Sequence, residues 1–133
     1  MRYLLDTNVC VDYLTGRFPR VIERIRESSP EDLCVSSVAM AELRYGAEKS
    51  AHRSRNHARL DVFFQEVRIL DFDAGAASEY GRVRRELESA GKPIGPNDML
   101  IGAHARALTL VLVTDNVREF RRIRRLRVEN WRG

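Results

Sequence analysis

Short apolar runs alternate along this chain with longer segments of helical periodicity, and this alternation limits the fold more than any other feature. The apolar runs predict strands at residues 2–5, 32–36, 67–70 and 110–113, with a further candidate at 126–130. The segments between them predict helices at about 7–15, 20–28, 37–48, 51–64, 74–91, 96–107 and 117–122. Strands separated by helices pair in parallel through right-handed crossovers. The sequence therefore predicts an α/β fold, a single domain over residues 1–133 whose central, mainly parallel sheet of four to five strands is flanked by helices.

Residues that start or stop helices stand at the ends of these segments. Gly16 is a stop signal for the first helix, and Ser36 and Ser37 are candidate caps for the third. Asp73 is a candidate cap for the long helix that follows the third strand, and Pro96 suits the first turn of the next helix.

The composition is that of a soluble globular protein, with 44% hydrophobic and 32% charged residues. No apolar stretch approaches the roughly 20 residues of a membrane span, and the opening "MRYLLD" reaches an acid too early for a signal peptide. We therefore expect a cytoplasmic protein with no membrane partner. Cys10 and Cys34 are too few and too far apart for a zinc cluster or a disulfide framework, so we expect both to be small buried apolar residues.

Four acidic residues stand at positions that favour a shared site. Asp6 and Asp115 closely follow the ends of two predicted strands, whereas Glu42 and Asp98 lie in predicted helices beside apolar residues. Each has a simpler explanation when taken alone: a helix cap for Asp6 or Asp98, a side chain that reaches solvent for Glu42, a turn for Asp115. Doubly wound folds gather the carboxyl ends of their strands at one edge. We therefore expect the four acids to meet there.

Carboxylates held close together repel one another and titrate abnormally, and a divalent cation removes this conflict. Oxygen ligands without His or Cys suit Mg²⁺, with Mn²⁺ as a substitute. Other chemistries have little support, because no glycine-rich phosphate loop is present and no motif pairs a serine with a histidine. His104 lies among small residues of a helix, where a packed or hydrogen-bonded histidine is expected.

Positive charge is concentrated at the end of the chain. Residues 118–133 hold seven arginines against two glutamates, a net charge of +5, whereas residues 1–117 carry −1 of the total of +4. Arginine forms bidentate contacts with phosphate, so this segment indicates a polyanionic partner. A solvated helix face is the alternative explanation.

Four stretches carry a family resemblance: "YLLDTNVCVDYL", "SSVAMAELRYGAEKS", "KPIGPNDMLIGAHARAL" and "LVLVTDNVREFRRIRRLRVENW". In this order, and over nearly the whole chain, they resemble PIN-domain ribonucleases, specifically the VapC-type toxins of toxin–antitoxin pairs. The combination of D-T-N, A-E-L-x-x-G-A and I-G-x-x-D-x-x-I is far more specific than any one of these motifs. The resemblance implies a Mg²⁺-dependent endoribonuclease that hydrolyses RNA phosphodiester bonds, with structured RNA such as tRNA as substrate.

The same resemblance assigns residues to the site. It implies that Asp6, Glu42 and Asp98 are the metal ligands, that Asn8 supports them and that Thr114 orders the last loop.

The fourth catalytic acid is open between two residues. Many members of the family place it two residues after the threonine, where this chain has Asn116. Asp115 is favoured as an accessory acid, and Glu119, one helical turn further on, is the competitor.

The resemblance also implies partners: an RNA substrate, a separate VapB-type antitoxin chain and a second copy of the toxin in a homodimer. For the RNA backbone the expected contacts are Arg121 and Arg122 in the basic segment, with Arg44 and Arg53.

Two other classes of function compete with this interpretation. A phospho-accepting signalling or phosphatase domain also has an Asp after its first strand, but the phosphatase type requires a second Asp where Asn8 stands, and the receiver type requires a Lys after a late strand. A catalytically silent PIN-like module that only binds RNA is disfavoured by the intact Asp6, Glu42 and Asp98.

Overall fold

Five strands form one parallel sheet in the computed structural model, which describes residues 1–133. The strands are β1 (Tyr3–Leu5), β2 (Leu33–Ser36), β3 (Arg68–Leu70), β4 (Val111–Val113) and β5 (Val128–Glu129). They lie in the order β3-β2-β1-β4-β5, and every pairing is parallel. The α/β fold predicted from the alternation of strands and helices is confirmed.

Seven helices flank the sheet. They are α1 (Thr7–Thr15), α2 (Pro19–Glu27), α3 (Ser37–Glu48), α4 (Arg53–Glu66), α5 (Ala74–Ser89), α6 (Pro96–Ala107) and α7 (Val117–Phe120). Each predicted helix is present within two residues of its expected bounds. None of the seven is both long enough and apolar enough to cross a membrane.

The helix ends follow the local chemistry of the sequence. Asp6, Ser36 and Asp73 each accept a hydrogen bond from a free backbone N–H in the first turn of α1, α3 and α5. Gly16 ends α1 with a φ of 67°, a left-handed conformation that costs glycine little. Pro96 is the first residue of α6, where its missing N–H is not needed.

The end of the chain is less regular than predicted. Helix α7 ends at Phe120 rather than 122, and β5 has two residues rather than five. The backbone N–H of Ile123 bonds the Phe120 carbonyl, and this turn brings both side chains into the core. The turn also packs closely on α6, because a Cβ added at Gly102 would stand 2.5 Å from Ile123 Cδ1. Core packing therefore overrides the helical pattern here.

The strand order reverses between β1 and β4. The chain runs outward from β1 through β2 to β3 and then returns to the other side of β1 for β4 and β5. Leu5 pairs with Val113, and the Asp6 N–H bonds the Val113 carbonyl at 2.9 Å. Asp6 and Thr114 consequently emerge side by side at the carboxyl ends of the two strands, where open α/β sheets bind ligands.

The last residues of the chain are anchored against β1 and α1. The Trp131 ring packs edge-on against Tyr3, with centroids 4.9 Å apart. The Arg132 Nε and Nη2 atoms donate to the two oxygens of Asp12 at 2.7 and 3.1 Å. Asp12 is only 2% exposed, so this ion pair supplies the counter-charge that a buried carboxylate requires.

We predict that Arg132→Ala lowers the free energy of unfolding by about 2 to 4 kcal/mol, because it leaves Asp12 buried without its partner. The measurement is urea denaturation followed by circular dichroism. Arg127→Ala is the matched control, since Arg127 is exposed and forms no ion pair, and it should change stability by less than about 0.5 kcal/mol. Adding Asp12→Asn to Arg132→Ala should restore part of the loss; a double variant less stable than Arg132→Ala would contradict this explanation.

Candidate active site

Asp6 lies at the centre of the polar groups gathered at the β1–β4 crevice. Its side chain accepts hydrogen bonds from the Thr7 N–H at 2.8 Å and from the Thr114 hydroxyl at 2.8 Å. Asp6 is 4% exposed and Thr114 is fully buried. Asp6 is therefore both the cap of α1 and a buried carboxylate held in a fixed orientation, so the capping explanation and the site explanation are compatible.

Glu42 joins Asp6 through Thr7. The Thr7 hydroxyl donates to one Glu42 oxygen at 2.6 Å, while the Asn97 amide donates to the other at 3.2 Å. Glu42 is half-buried on α3, and these two donors fix the orientation of its carboxylate. Asn97 belongs to the first turn of α6, so this contact also links α3 to the helix that carries Asp98.

Asp98 and Glu119 approach each other from the first turns of α6 and α7. The cap of α6 is Gly95, so the capping explanation for Asp98 is wrong. The Asn116 amide donates to Glu119 at 3.1 Å. The positive end of a helix dipole favours a carboxylate at each of these positions.

Asp115 is held by residues from both ends of the chain. Its carboxylate accepts a hydrogen bond from the Asn8 amide at 3.3 Å and forms an ion pair with Arg132 at 3.1 Å. The same guanidinium binds Asp12 and lies over the Phe18 ring, 4.2 Å from its centroid. Asp115 thus already has a counter-charge within the chain.

Burial and mutual repulsion raise the pKa values of two of these acids. Burial raises the pKa of Asp6 from 3.8 to about 6; the Thr114 hydrogen bond opposes this, and the charges of Asp98 and Glu42 add to it. Burial also raises the pKa of Asp98, followed by the charges of Glu119, Glu42 and Asp115. The site is therefore an acidic cluster with an uncompensated negative charge.

The donors of this cluster fit a hard divalent cation, since they are carboxylate and amide oxygens with no thiolate or imidazole among them. Hydrogen-bond donors of the protein set the orientation of these oxygens. No group of three His, Cys, Asp or Glu side chains is arranged to hold one metal ion together. The charge and the donor chemistry fit Mg²⁺ or Mn²⁺, while the side-chain orientations are those of a network of protein hydrogen bonds.

The four arginines expected to bind RNA have different surroundings. Arg121 and Arg53 are exposed and form no ion pair. Arg122 donates to the Pro93 carbonyl at 3.0 Å. Arg44 faces α4, where it pairs with Asp61 at 2.6 Å and lies over Phe64. Its charge is therefore already paired within the chain, which argues against Arg44 as an RNA contact.

Four residues of the site were not assigned such roles from the sequence. Thr7 and Asn97 orient Glu42, Asn116 orients Glu119, and Arg132 holds Asp115. Thr7 and Asn97 each stand next to a predicted acid, which is a usable signal. Arg132 offers no such signal, since it lies 120 positions from Asp12.

His104 and the two cysteines lie outside the acidic cluster. The Nδ1 atom of His104 lies 2.9 Å from the Ser36 hydroxyl, and burial lowers the pKa of this histidine. Cys10 and Cys34 are free and buried. The expectation that all three are packed residues is confirmed.

Comparison with known proteins shows the family to which this chain is similar. Residues 3–126 match the PIN domain family. A tRNA(fMet)-specific endonuclease VapC from Shigella flexneri is 42% identical over 131 residues, covering 98% of each chain. Ribonuclease VapC2 from Haemophilus influenzae is also 42% identical over 131 residues, again covering 98% of each chain.

Solved structures of VapBC complexes are similar to this chain over nearly its whole length. The DNA-bound VapBC from Salmonella typhimurium superimposes with a TM-score of 0.94 at 40% identity, covering 98% of each chain. VapBC2 from Rickettsia felis, bound to a DNA fragment from its promoter, has a TM-score of 0.92 at 39% identity, covering 98% of this chain and 99% of that one.

A five-stranded parallel sheet with an acidic cluster at its switch point, matched over residues 3–126, places this chain in the PIN-domain family. Within that family it falls among the VapC proteins, which confirms the resemblance seen in the sequence.

We predict that Asp6→Asn stabilises the metal-free protein at about pH 8 and not at about pH 4. Asp6 binds its proton more tightly in the folded state than in the unfolded state. The free energy of unfolding therefore falls as the pH rises from about 4 through about 6 and Asp6 ionises. Above this pH range the ionised Asp6 lowers the free energy of unfolding by about 3 kcal/mol at most, which is the equivalent of raising a pKa from 3.8 to about 6. The measurement is thermal unfolding in EDTA at both pH values.

The control is Glu31→Gln, which removes an exposed carboxylate that forms no ion pair and should leave the melting temperature unchanged at both pH values. An Asp6→Asn variant that is equally stabilised at both pH values, or destabilised at about pH 8, would show that the Asp6 charge carries no such cost.

Proposed function

We propose that this chain is a metal-dependent endoribonuclease that hydrolyses phosphodiester bonds of structured RNA, and that it acts as the toxin of a VapBC pair. The observation that carries the proposal is the acidic cluster of Asp6, Glu42, Asp98 and Glu119 at the strand-order switch point. Similarity to VapC ribonucleases over almost the whole chain supports the activity. The name of the Shigella flexneri relative makes tRNA(fMet) the first substrate to test.

We infer that Asp6, Glu42 and Asp98 would hold Mg²⁺ or Mn²⁺. A divalent cation supplies Lewis-acid activation of the phosphate and lowers the pKa of a bound water. The raised pKa values of Asp6 and Asp98 support this assignment, because a cation is the counter-charge that these carboxylates lack.

The remaining residues of the cluster orient the acids. Thr7 fixes the spacing between Asp6 and Glu42, because its N–H binds the first and its hydroxyl binds the second. Thr114 holds Asp6 and also accepts the Asn116 N–H at 3.0 Å, which sets the path of the loop that leads to Glu119. Such fixed donors keep the carboxylates in place before RNA arrives.

The ion pairs at the margin of the cluster favour Glu119 over Asp115 as the fourth acid. Asp115 was favoured from the sequence, but its charge is paired with Arg132. Glu119 has no ion pair, and among the nearby charges it contributes most to the raised pKa of Asp98. We propose Glu119 as the fourth acid and Asp115 as a residue that connects the loop to Asn8 and Arg132.

We further propose that a VapB-type antitoxin silences the enzyme by binding beside Glu42. An apolar groove of about 270 Å³ lies there between α1, α3 and α4, and its lining includes Val11, Leu43 and Leu60. The solved VapBC complexes that resemble this chain support a partner of this kind. The homodimer implied by the family resemblance stays a prediction.

We predict that the purified protein cleaves a tRNA(fMet) transcript with Mg²⁺ or Mn²⁺ and stops when EDTA is added. Asp98→Asn should reduce the cleavage rate by roughly three orders of magnitude, about 4 kcal/mol of barrier, because it removes an anionic ligand. Glu31→Gln, which removes an exposed acid before the amino end of β2 rather than at the carboxyl ends of the strands, should cleave at the normal rate. Calorimetric titration with Mn²⁺ should show weakened binding in Asp98→Asn only. Cleavage that continues in excess chelator would reject the metal mechanism.

The choice of the fourth acid has its own test. We predict that Glu119→Gln lowers kcat/KM at least about tenfold more than Asp115→Asn, about 1.4 kcal/mol, because only Glu119 is free of an ion pair. Melting temperatures of both variants show whether each remains folded. A larger loss of activity in Asp115→Asn, at unchanged stability, would restore Asp115 to the catalytic role.

A further inference from the structure

A shallow depression of about 930 Å³ runs along the outer face of α5. Its polar lining consists of three arginines, two serines and one glutamate: Arg82, Arg85, Arg124, Ser78, Ser89 and Glu86. The α5 members recur at helical spacing, so they form one stripe of the helix. Gly81 lies in the same stripe, and a Cβ added there would meet nothing within 4 Å. We call this depression the α5 groove.

The only carboxylate in the groove already has counter-charges. Glu86 pairs with the buried Arg106 at 2.8 Å and with Arg125 at 3.8 Å. Arg85 and Arg124, in contrast, are exposed and form no ion pair. On the neighbouring stripe of the same helix, Arg84 pairs with Glu88. The groove therefore keeps unpaired positive charge where the adjacent helix face does not.

The groove continues toward the acidic cluster. A smaller depression of about 120 Å³ shares Glu86 and Arg124 with it and adds Lys92 and Arg122 to the lining. Arg122 bonds the Pro93 carbonyl, which joins the turn after α7 to the connection between α5 and α6. Along the chain these two segments adjoin Glu119 and Asp98, so segments that carry basic residues connect the groove with the acidic cluster.

We propose that the α5 groove binds the phosphodiester backbone of the RNA away from the cleaved bond, with Arg85 and Arg124 as the main contacts. This inference rests on the proposed function. Guanidinium groups and hydroxyls are the donors that recognise phosphate, and the lining contains no large apolar side chain that would favour a protein helix or a base-stacking site. The acidic cluster repels RNA, so binding energy from a separate positive surface is required to hold the substrate there.

The test is the salt dependence of RNA binding in the inactive Asp98→Asn protein. A fluorescent tRNA(fMet) transcript is titrated from about 50 to about 200 mM salt with and without Arg85→Ala plus Arg124→Ala. Loss of two phosphate contacts should flatten the slope of log K against log salt by about 1.5 and weaken binding at least about tenfold at the lowest salt. Folding should be unaffected, because Arg106 bonds the Arg124 backbone carbonyl rather than its side chain.

The matched control is Arg20→Ala plus Arg84→Ala, which removes the same charge from exposed arginines outside the groove. It should leave the slope unchanged. In protein with Asp98 intact, the groove variant should raise KM for RNA and leave kcat near normal, since its contacts lie away from the reacting bond.

Equal slopes for the groove variant and its parent would overturn the inference, and so would an equal flattening of the slope by the control variant. A third such result is a molar mass of the groove variant that differs from that of its parent by analytical ultracentrifugation, because this would mark the face as a contact between two copies of the chain. Because binding is measured in inactive protein, failure of the groove is distinct from failure of the enzyme. A wild-type protein that binds RNA with the predicted slopes but never cleaves it would reject the proposed function and leave the groove in place.

Discussion

The hydrogen bond from the buried Thr114 hydroxyl to Asp6 joins the two strand ends on which the acidic cluster is built. It depends on the register in which Leu5 pairs with Val113, because a shift by one residue would turn one of the two side chains to the other face of the sheet. The same Thr114 oxygen accepts the Asn116 N–H and so directs the loop that carries Asp115 and Glu119. One buried hydroxyl thus sets the positions of acids that follow two different strands.

This arrangement conflicts with stability. Burial and the neighbouring charges raise the pKa values of Asp6 and Asp98, which means that the ionised cluster destabilises the fold at neutral pH. Partial compensation comes from the helix N-termini that hold three of the acids and from the Thr7, Asn97 and Asn116 donors. None of these groups carries a full positive charge. The cluster forms an ion pair only at its margin, where Arg132 binds Asp115. A fold that retains such a cost is typical of a site whose charge is needed for chemistry.

Much of this structure could be predicted from local sequence signals. The strands and helices follow from apolar periodicity, and the caps at Asp6, Ser36 and Asp73 follow from side chains that can bond a free N–H. The approach of Asp6 to Glu42 and Asp98 followed from the rule that parallel strands end at one edge. The preference for Glu119 over Asp115 could not be predicted, because it depends on an ion pair between Asp115 and Arg132, a side chain that is also held by Asp12 from near the start of the chain. The segment 118–133, which is strongly basic in the sequence, likewise divides in the structure into Arg132, which binds acids, and Arg124, which faces solvent.

This division separates the positive charge that is paired within the chain from the positive charge that faces solvent. Arg132 is used within the chain, where it neutralises Asp12 and Asp115, and it leaves Asp6, Glu42, Asp98 and Glu119 without an ion pair. Of the arginines without ion pairs, Arg85, Arg122 and Arg124 line the depressions along α5 and the turn after α7. Under the proposed function, RNA would be attracted at a distance from the acids and repelled at them until a divalent cation binds. We propose that the positive surface sets the affinity for RNA and that the acidic cluster sets the dependence on metal, so that substitutions should vary the two independently.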